Sequence, residues 1–278
     1  MIHLLRKLIA AIKPKPQVFI AKGCFSPWYN SKHLIDYYVT NIDESIPCQA
    51  TVTCKNVDDM SYVFYNCSKL TSIDLSNFDT SKVDSMSYMF SDCRSITSLG
   101  LSNFDTSNVT DISGMFYDCF HITTLDLSGF DTSNVLDMSF MFGSCYSLTT
   151  LDLSNFNTSR VVNMGWMFDY CLSLTSIDVS NFDTSNVGNT YAMFSNCRSL
   201  TSLDLTSFDT SKVRNMSYMF NHCPRLTTIK GVIDMKSCEY YGNMFTNCNK
   251  LRGVKIKNPP FNFEIISGLS KSQYTIIS

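Results

Sequence analysis

The stretch LTSIDLSNFDTSKVDSMSYMFSDC, from Leu70 to Cys93, returns almost unchanged as LTSLDLTSFDTSKVRNMSYMFNHC from Leu200 to Cys223. The same unit is marked by seven cysteines at a constant interval of 26 residues and by an eighth after 25. These are Cys67, Cys93, Cys119, Cys145, Cys171, Cys197, Cys223 and Cys248. A fixed period of this size is the signature of stacked repeats. The sequence therefore predicts one elongated solenoid rather than two compact domains.

The first half of each unit has the spacing of a strand. Leu70, Ile73 and Leu75 follow the frame L-x-x-L-x-L, and alternate side chains of a strand point to the same face. Strands are expected to begin at Leu70, Ile96, Ile122, Leu148, Leu174, Leu200, Leu226 and Leu251. Because every coil runs in the same direction, the eight strands are predicted to form a parallel sheet about 40 Å long.

The second half of each unit has the spacing of a helix. Met86, Met89, Phe90 and Cys93 fall at i, i+3, i+4 and i+7, which places four apolar groups on one helical face. The predicted fold class is an α/β repeat solenoid, with a parallel sheet on one face and short helices or helical turns on the other.

The repeat resembles a known family. Its core, M-F-x-x-C-x-x-L-T-x-L-D-L-S-x-F, is similar to the 26-residue repeat of bacterial surface proteins, a BspA-like branch of the leucine-rich repeats, from Val57 to Leu251. The resemblance implies an adhesin-like surface protein without a catalytic site, and it names no ligand. The expected organisation is an N-terminal segment and cap at 1–55, a solenoid of about eight coils at 56–251, and a C-terminal cap at 252–278.

Charge is distributed unevenly along the chain. Residues 56–249 contain 10 Lys and Arg against 20 Asp and Glu, whereas 1–55 and 250–278 each carry a net charge of +4. An acidic solenoid argues against nucleic acid lying along the repeats.

The regular cysteines are expected to pack inside the solenoid as a ladder of buried thiols. The sequence has no C-x-x-C and no clustered His and Cys set for zinc, so no cofactor is expected. A disulfide among Cys24, Cys48 and Cys54 is an open alternative at the N-terminus.

The N-terminal segment is basic and amphipathic. Arg6, Lys7 and Lys13 interrupt its apolar residues, so neither a standard secretory signal nor a transmembrane helix is predicted. A helix with Leu4, Leu5, Leu8, Ile9 and Ile12 on one face would cap the first coil or contact a membrane. The resemblance implies a cell-surface or secreted location, and a virion-associated or cytoplasmic one is the alternative.

Two rows of acidic residues are predicted along the coils. A weak candidate for cation binding is the strand-face row Asp126, Asp152, Asp178 and Asp204, although neighbouring serines would also hydrogen-bond these carboxylates. A second row lies in the F-D-T-S motif, where a turn-capping role is expected. Its members are Asp79, Asp105, Asp131, Asn157, Asp183 and Asp209.

The best candidates for partner contact are aromatic and apolar residues at positions that vary between repeats. Phe120, Tyr146 and Leu172 follow consecutive repeat cysteines and are expected to stack, flanked by Tyr170. Trp166 and Phe140 lie nearby in the predicted helical segment. Such clusters tend to mark contact surfaces. The alternative is that these side chains lie flat on the solenoid and cover its core.

Catalysis has little support in the sequence. The two histidines of the repeats, His121 and His222, are nearly four coils apart, and no P-loop, G-x-G-x-x-G or H-E-x-x-H occurs. We therefore predict a non-catalytic protein that recognises a protein or glycan. The alternative is a structural or display component of a cell envelope or of a phage or virus particle.

Overall fold

The computed structural model describes the backbone of residues 48–54 and the residues 58–278. The elements run in chain order as seven strands with one helix before the last. They are β1 Cys48–Cys54, β2 Leu70–Phe78, β3 Ser202–Asp204, β4 Thr228–Lys230, β5 Val232–Asp234, β6 Val254–Lys257, α1 Phe263–Ser267 and β7 Tyr274–Ile277. The predicted N-terminal helix and the disulfide involving Cys24, Cys48 and Cys54 fall outside what the structure describes.

Parallel pairing is confirmed, but the predicted continuous sheet is not found. β1 pairs with β2, β3 pairs with β4, and β5, β6 and β7 form a three-stranded sheet, all in parallel register. In the middle coils the corresponding segments carry the same alternation of buried and exposed residues without regular strand pairing. Isolated backbone bonds join them, such as the one from Thr149 N to Thr123 O at 3.2 Å.

An unbroken backbone ladder runs along another side of the solenoid. Single parallel bridges join Asp59, Ser85, Asp111, Asp137, Asn163, Asn189, Asn215 and Tyr240 in order. Each step advances by one repeat, so this column fixes the stacking of eight coils.

The segment predicted to form short helices or helical turns forms consecutive tight turns, and the helical face is not confirmed. In residues 60–67, the amides of Val63, Tyr65 and Cys67 each donate to a carbonyl three residues earlier. Tyr62 and Asn66 have φ angles of 62° and 60°. A positive φ in the third residue of such a turn is type II geometry and interrupts a right-handed helix. Among the described residues, α1 is the one α-helix, and it lies outside the repeats.

Hydrogen bonding between coils explains why turns replace the helix. The amides of residues 60, 62, 64 and 66 donate to the carbonyls of residues 85, 87, 89 and 91 in the next coil, over 2.8–2.9 Å. A helix would use these amides internally. The turns bury side chains at the same spacing, so Met86, Met89, Phe90 and Cys93 are fully buried as expected.

The core is a set of identical residues stacked coil on coil. A row of buried phenylalanine rings runs through it with centroid separations of 5.2–6.0 Å. It comprises Phe64, Phe90, Phe116, Phe142, Phe168, Phe194, Phe220 and Phe245. The eight repeat cysteines are buried beside it, which confirms the thiol ladder. Each thiol from Cys93 to Cys248 donates to the carbonyl of a phenylalanine in this row, such as Cys145 Sγ to Phe116 O at 3.2 Å.

A buried threonine in each coil fastens it to the next. The Thr132 hydroxyl donates to Asn157 O at 3.0 Å and accepts from Asn157 N at 2.8 Å. The same pair of bonds recurs at Thr80, Thr106, Thr158, Thr184 and Thr210. Coil spacing is therefore held from two sides, by the bridge column and by these threonines.

Candidate functional site

The most distinctive surface feature is a continuous row of eight aromatic rings on the turn side. We call it the aromatic ribbon. In order it contains Tyr65, Tyr62, Tyr88, Tyr117, Phe140, Trp166, Tyr191 and Tyr218, and neighbouring ring centroids are 4.3–6.5 Å apart. All eight rings are partly or well exposed. The ribbon therefore spans seven coils with one unbroken aromatic surface.

Glycines make room where the ribbon changes position within the repeat. A Cβ added to Gly114 would lie 2.4 Å from the Tyr88 ring, and one added to Gly143 would lie 3.0 Å from the Tyr117 ring. Gly114 occupies the repeat position that holds tyrosine in Tyr62 and Tyr88. Tyr117 supplies the ring from three residues further on, so the row stays continuous across this coil.

Five ribbon residues occupy a strained backbone conformation. Tyr62, Tyr88, Phe140, Trp166 and Tyr218 have φ angles between 53° and 62°. Left-handed backbone is unfavourable for residues with a Cβ, whereas glycine adopts it freely, as Gly114 does at the equivalent position. The inter-coil hydrogen bonds of the turns hold these residues in place.

A second, shorter aromatic row lies beside the ribbon. Phe120 and Tyr146 stack with centroids 4.5 Å apart, and Tyr146 lies 6.4 Å from Tyr170. The Arg94 guanidinium lies 5.0 Å from the centre of the Phe120 ring. It also donates to the Asp92 carboxylate over 2.9 and 2.7 Å. The short row therefore includes a cation, because Arg94 stacks on Phe120 and pairs with Asp92.

Five of the six predicted contact residues lie in these two rows. Phe140 and Trp166 stack at 4.4 Å within the ribbon, whereas Phe120, Tyr146 and Tyr170 form the short row. Leu172, two residues after Tyr170, is partly exposed. Their role in partner contact stays a prediction.

Sequence reasoning missed Tyr65 and Tyr191 and did not join the tyrosines into one row. The sequence contains a signal that could have found the row. Where a small residue occupies the repeat position of Tyr62 and Tyr88, an aromatic residue lies close to it in the chain. Ala192 follows Tyr191 in this way, and Gly114 precedes Tyr117.

Two partly buried carboxylates belong to the same surface. Burial raises the pKa of Asp169 to about 6, although hydrogen bonds from Ser195 and Asn196 act in the opposite direction. Burial also raises the pKa of Asp118, and there Arg94 partly counteracts it. The charge of Asp169 contributes to the raised pKa values of Tyr117 and Tyr191, after the larger effect of their own burial.

The predicted metal row is fully exposed on the strand side. Each of Asp126, Asp152, Asp178 and Asp204 accepts the amide hydrogen of the residue two positions later, over 2.9–3.1 Å. These local hydrogen bonds lower the pKa values of all four carboxyls. Within residues 58–278, no group of three or more His, Cys, Asp or Glu is arranged to hold a metal ion. Cation binding by this row stays a prediction.

The F-D-T-S row makes the local hydrogen bonds expected of turn formers. Asp131 Oδ1 accepts from Ser133 N at 2.9 Å, and Asn157 Oδ1 accepts from Ser159 N at 3.1 Å. These are Asx turns, and the segment that follows them is not helical.

The two repeat histidines contact polar groups of their surroundings. His121 Nδ1 contacts the carbonyl oxygen of Arg94, and His222 contacts the side chains of Asn221 and Asn247. In the part of the chain that the structure describes, no helix is long and apolar enough to cross a membrane.

The architecture is that of a repeat solenoid, with parallel coils stacked around an apolar core. The sequence matches the family described as "Mycoplasma protein of unknown function, DUF285" over residues 38–150 and 137–258. The chain belongs to this BspA-like repeat family, which confirms the resemblance stated from the repeat.

Comparison with solved structures returns leucine-rich-repeat proteins of low identity. A leucine-rich repeat protein from Bacteroides ovatus is 15% identical, with a TM-score of 0.41, and the match covers 83% of this chain and 66% of that one. A leucine-rich cell surface protein from Faecalibacterium prausnitzii is 17% identical, with a TM-score of 0.26 and coverage of 79% and 76%. The comparison with curated proteins gives no match.

Proposed function

We propose that this protein is a non-catalytic binding protein that recognises a protein partner through the aromatic ribbon. The observation that carries the proposal is the continuity of the ribbon, in which glycines and displaced tyrosines keep the row unbroken. A packing role alone needs no such continuity, because the phenylalanine row already fills the core. Large aromatic side chains are also the residues most often found at the energetic centres of protein interfaces.

The orientation of the stacked rings of the ribbon, as distinct from the T-shaped contacts of Tyr65 and Tyr117, favours a protein over a glycan. Tyr62 and Tyr88 are almost parallel, with an interplanar angle of 4°, as are Phe140 and Trp166 at 12°. Their faces are therefore turned towards each other along the solenoid. Sugar C–H groups pack on the negative face of an aromatic ring, and ring edges are positive. Edges are better suited to the apolar side chains and carbonyl oxygens of a protein.

The turns make this surface rigid before binding. The amides of Tyr88 and Trp166 donate to the next coil over 2.7 Å. A preorganised surface loses little conformational entropy on association. Adhesin-like recognition at a cell surface is consistent with this arrangement, and we include it in the proposal on the strength of the family resemblance.

A paired protein and glycan array tests the proposal. The wild-type chain is compared with a Phe140→Ala/Trp166→Ala/Tyr191→Ala variant. The control is a Phe261→Ala/Ile265→Ala variant. Both side chains are exposed, but Phe261 precedes α1 and Ile265 belongs to it, so neither is part of the ribbon. Circular dichroism and urea unfolding establish that all three are folded. We expect a protein ligand that the ribbon variant loses and the control keeps.

Two results would contradict the proposal. Equal protein binding by the ribbon variant would place the contact elsewhere, and binding to glycans alone would replace the partner class.

A structural or assembly role is the second candidate, and one observation favours it. The C-terminal end exposes large apolar side chains, with Phe261 fully exposed and Ile265 and Ile276 at 86% and 58%. Ile276 pairs with Ile256, whose side chain is buried, whereas that of Ile276 is exposed. Among the described strands, β7 pairs on one edge only. Sedimentation of wild type and of a Phe261→Ser/Ile265→Ser/Ile276→Ser variant separates the roles, because assembly predicts larger species that the variant loses.

A further inference from the structure

The aromatic ribbon shows the same order of residue types when it is followed in either direction. With coils counted by their repeat cysteines from Cys67, coils two to seven hold at the ribbon position an aromatic residue, a small one, two aromatic ones, a small one and an aromatic one. These residues are Tyr88, Gly114, Phe140, Trp166, Ala192 and Tyr218. Tyr117 and Tyr191 supply the rings of the two coils with a small residue. The ribbon is therefore symmetric about a centre between coils four and five, where Phe140 stacks on Trp166.

A second column of exposed side chains lies four residues before the ribbon position in each coil. We call it the edge column, and its members in coils one to eight are Asp58, Asp84, Thr110, Leu136, Val162, Gly188, Arg214 and Glu239. All of them are exposed except Gly188, which is partly exposed. Each amide from Asp84 onward donates to the carbonyl of the preceding member over 2.7–2.9 Å. This backbone ladder holds neighbouring members of the edge column one coil apart.

The edge column and the ribbon lie on the same side of the solenoid. The bridge column, which runs from Asp59 to Tyr240, directly follows the edge column in the chain. In coil four, Asp137 Oδ1 of the bridge column accepts from Ser139 N at 2.7 Å, and Ser139 directly precedes Phe140 of the ribbon. The bridge column therefore lies between the other two, and the three columns form one surface.

The edge column has opposite charges at equal distances from the centre of the ribbon. Asp84 lies in coil two and Arg214 in coil seven, and neither forms an ion pair with the residues that the structure describes. The two central coils carry Leu136 and Val162, whose side chains are 39% and 49% exposed. Neighbouring exposed apolar side chains tend to mark contact surfaces. The outermost members are both acidic, so the pattern of acid, apolar centre and base covers coils two to seven.

The bridge column follows the same pattern. Its members in coils three and four are Asp111 and Asp137, and those in coils five and six are Asn163 and Asn189. Carboxylates only accept hydrogen bonds, whereas an amide group has two N–H donors. Each of these two asparagines uses one of its donors on the preceding coil. A complementary partner would present amides to the two acids and carboxylates to the two asparagines.

A second copy of the same surface, turned end to end, satisfies each of these requirements. A two-fold axis across the centre makes the two solenoids antiparallel and brings coil two of one copy against coil seven of the other. Asp84 then faces Arg214 twice, and Leu136 faces Val162 twice. A parallel copy would instead place Asp84 against Asp84. Self-complementary patches of this kind form the interfaces of two-fold dimers, and the order of the charges fixes the orientation.

We propose that the edge column docks on the edge column of a second copy of this chain, antiparallel and with the two ribbons alongside each other. The opposite charges set the direction, and the aliphatic centre and the ring edges supply the apolar contact. This inference rests on the proposed function, because it identifies the protein partner of the ribbon as the chain itself. The product is a closed dimer, since two copies use up a two-fold contact.

Exchange of the two charges gives a test that needs no other ligand. Sedimentation velocity over a concentration series measures the mass of the wild-type chain, of Asp84→Arg, of Arg214→Asp and of an equimolar mixture of the two variants. Arg225→Asp is the control, because it makes the same charge change at an exposed position outside the three columns. Circular dichroism establishes that each chain is folded.

We expect the wild type and Arg225→Asp to reach twice the mass of the single chain as the concentration rises. Asp84→Arg and Arg214→Asp should each raise the dissociation constant of the dimer by at least about tenfold, because like charges then face each other at both contacts. The equimolar mixture should restore the dimer, since the two variants together again oppose unlike charges. The variant with three serine substitutions at the C-terminal end should keep the dimer, which separates this contact from assembly through that end.

A wild-type chain that stays monomeric would overturn the inference, as would a mixture that stays as dissociated as its two components. Species larger than a dimer in the C-terminal variant would also overturn it, because a two-fold contact closes at two copies.

The array of the previous section separates the two levels. A monomeric chain whose ribbon binds another protein would leave the proposed function standing and remove the dimer. A dimer that the mixture restores and the ribbon variant keeps, without any array ligand, would keep the antiparallel contact and remove recognition by the ribbon.

Discussion

Two aromatic rows run along the same coils, and they are built in different ways. The buried row takes a phenylalanine from the same repeat position in every coil, and its ring spacing stays within 5.2–6.0 Å. The aromatic ribbon takes tyrosine, phenylalanine or tryptophan from three repeat positions and admits glycines between them. The buried row therefore follows the repeated sequence, whereas the ribbon departs from it.

This difference separates packing from recognition. Close packing in the core tolerates side chains of few sizes and shapes. Because a core position has the same surroundings in every coil, it requires the same residue in every coil. An exposed row has no such constraint, and the ribbon could end wherever a repeat lacks a ring. Its continuity across the coils of Gly114 and Ala192 is therefore a property that the repeat alone does not explain.

The largest expected difference between the two rows is in stability. Phe142→Ala removes a fully buried ring that stacks on Phe116 and Phe168, and it should lower the free energy of unfolding by about 3–5 kcal/mol. Phe140→Ala, two residues away and partly exposed, should cost less than about 1.5 kcal/mol. Urea unfolding at constant m-value measures both. Comparable losses would mean that the ribbon is part of the core.

The buried threonines should behave as the buried ring row does. Thr132→Val keeps the shape of a fully buried side chain but leaves the amide and carbonyl of Asn157 without the hydroxyl, at a cost of about 1–3 kcal/mol. Ser133→Ala, at the next residue on the surface, should change stability by less than about 0.5 kcal/mol. Thermal unfolding followed by circular dichroism compares them. A neutral Thr132→Val would show that these bonds do not fix the coil spacing.

Gly114 tests whether the ribbon depends on its glycines. Gly114→Ala adds a Cβ at a φ of 59° and within 2.4 Å of the Tyr88 ring, so it should destabilise the fold by about 1–2 kcal/mol and displace that ring. Gly100→Ala has no atom within 4 Å of the new Cβ and should be nearly neutral. Unfolding free energies and the near-ultraviolet tyrosine signal are measured together. An unchanged tyrosine signal in Gly114→Ala would contradict the proposed accommodation of the ring.

The smallest expected effect concerns Asp169. Its pKa in the folded chain is raised to about 6, so the folded state binds the proton more tightly than the unfolded state. Protonated Asp169 therefore makes its full contribution to the free energy of unfolding below the unfolded pKa of about 4. This contribution is lost as the pH rises through about 6. Asp169→Asn should accordingly raise the unfolding free energy at pH 7.5 by about 1 kcal/mol and have little effect at pH 4.

Asp178→Asn is the control for this prediction, because the pKa of that exposed carboxyl is lowered. It should give no gain at pH 7.5. Urea unfolding across the pH range compares the two variants, and a gain at pH 4 as large as that at pH 7.5 would refute a cost due to the buried charge.

Much of the site could be read from the sequence, but its grouping could not. Phe120, Tyr146 and Tyr170 were expected to lie together, and they do. Trp166 and Phe140 were expected beside them, and they stack on each other in the ribbon, which runs beside this row. Spacing along one chain gives the coil of each residue. It does not give the direction of a side chain whose backbone has a positive φ.

The predicted short helices or helical turns were not confirmed for a related reason. Met86, Met89, Phe90 and Cys93 are buried as their spacing predicts, and both a helix and a pair of four-residue turns produce that spacing. The choice depends on where the amides find acceptors. A neighbouring coil at hydrogen-bonding distance supplies them, and its position is not encoded within one unit.

The sequence by itself determined the 26-residue period, the inward residues, the buried thiols and the acidic solenoid, because each depends on residue type and interval alone. Tertiary structure decided the turns, the short extent of the sheets and the assembly of the ribbon. These features arise from contacts between coils, where hydrogen bonds and ring packing join residues about 26 positions apart. The 26-residue period predicts which residues stack on each other. Only the distances between the coils decide which hydrogen bonds and ring contacts those residues form.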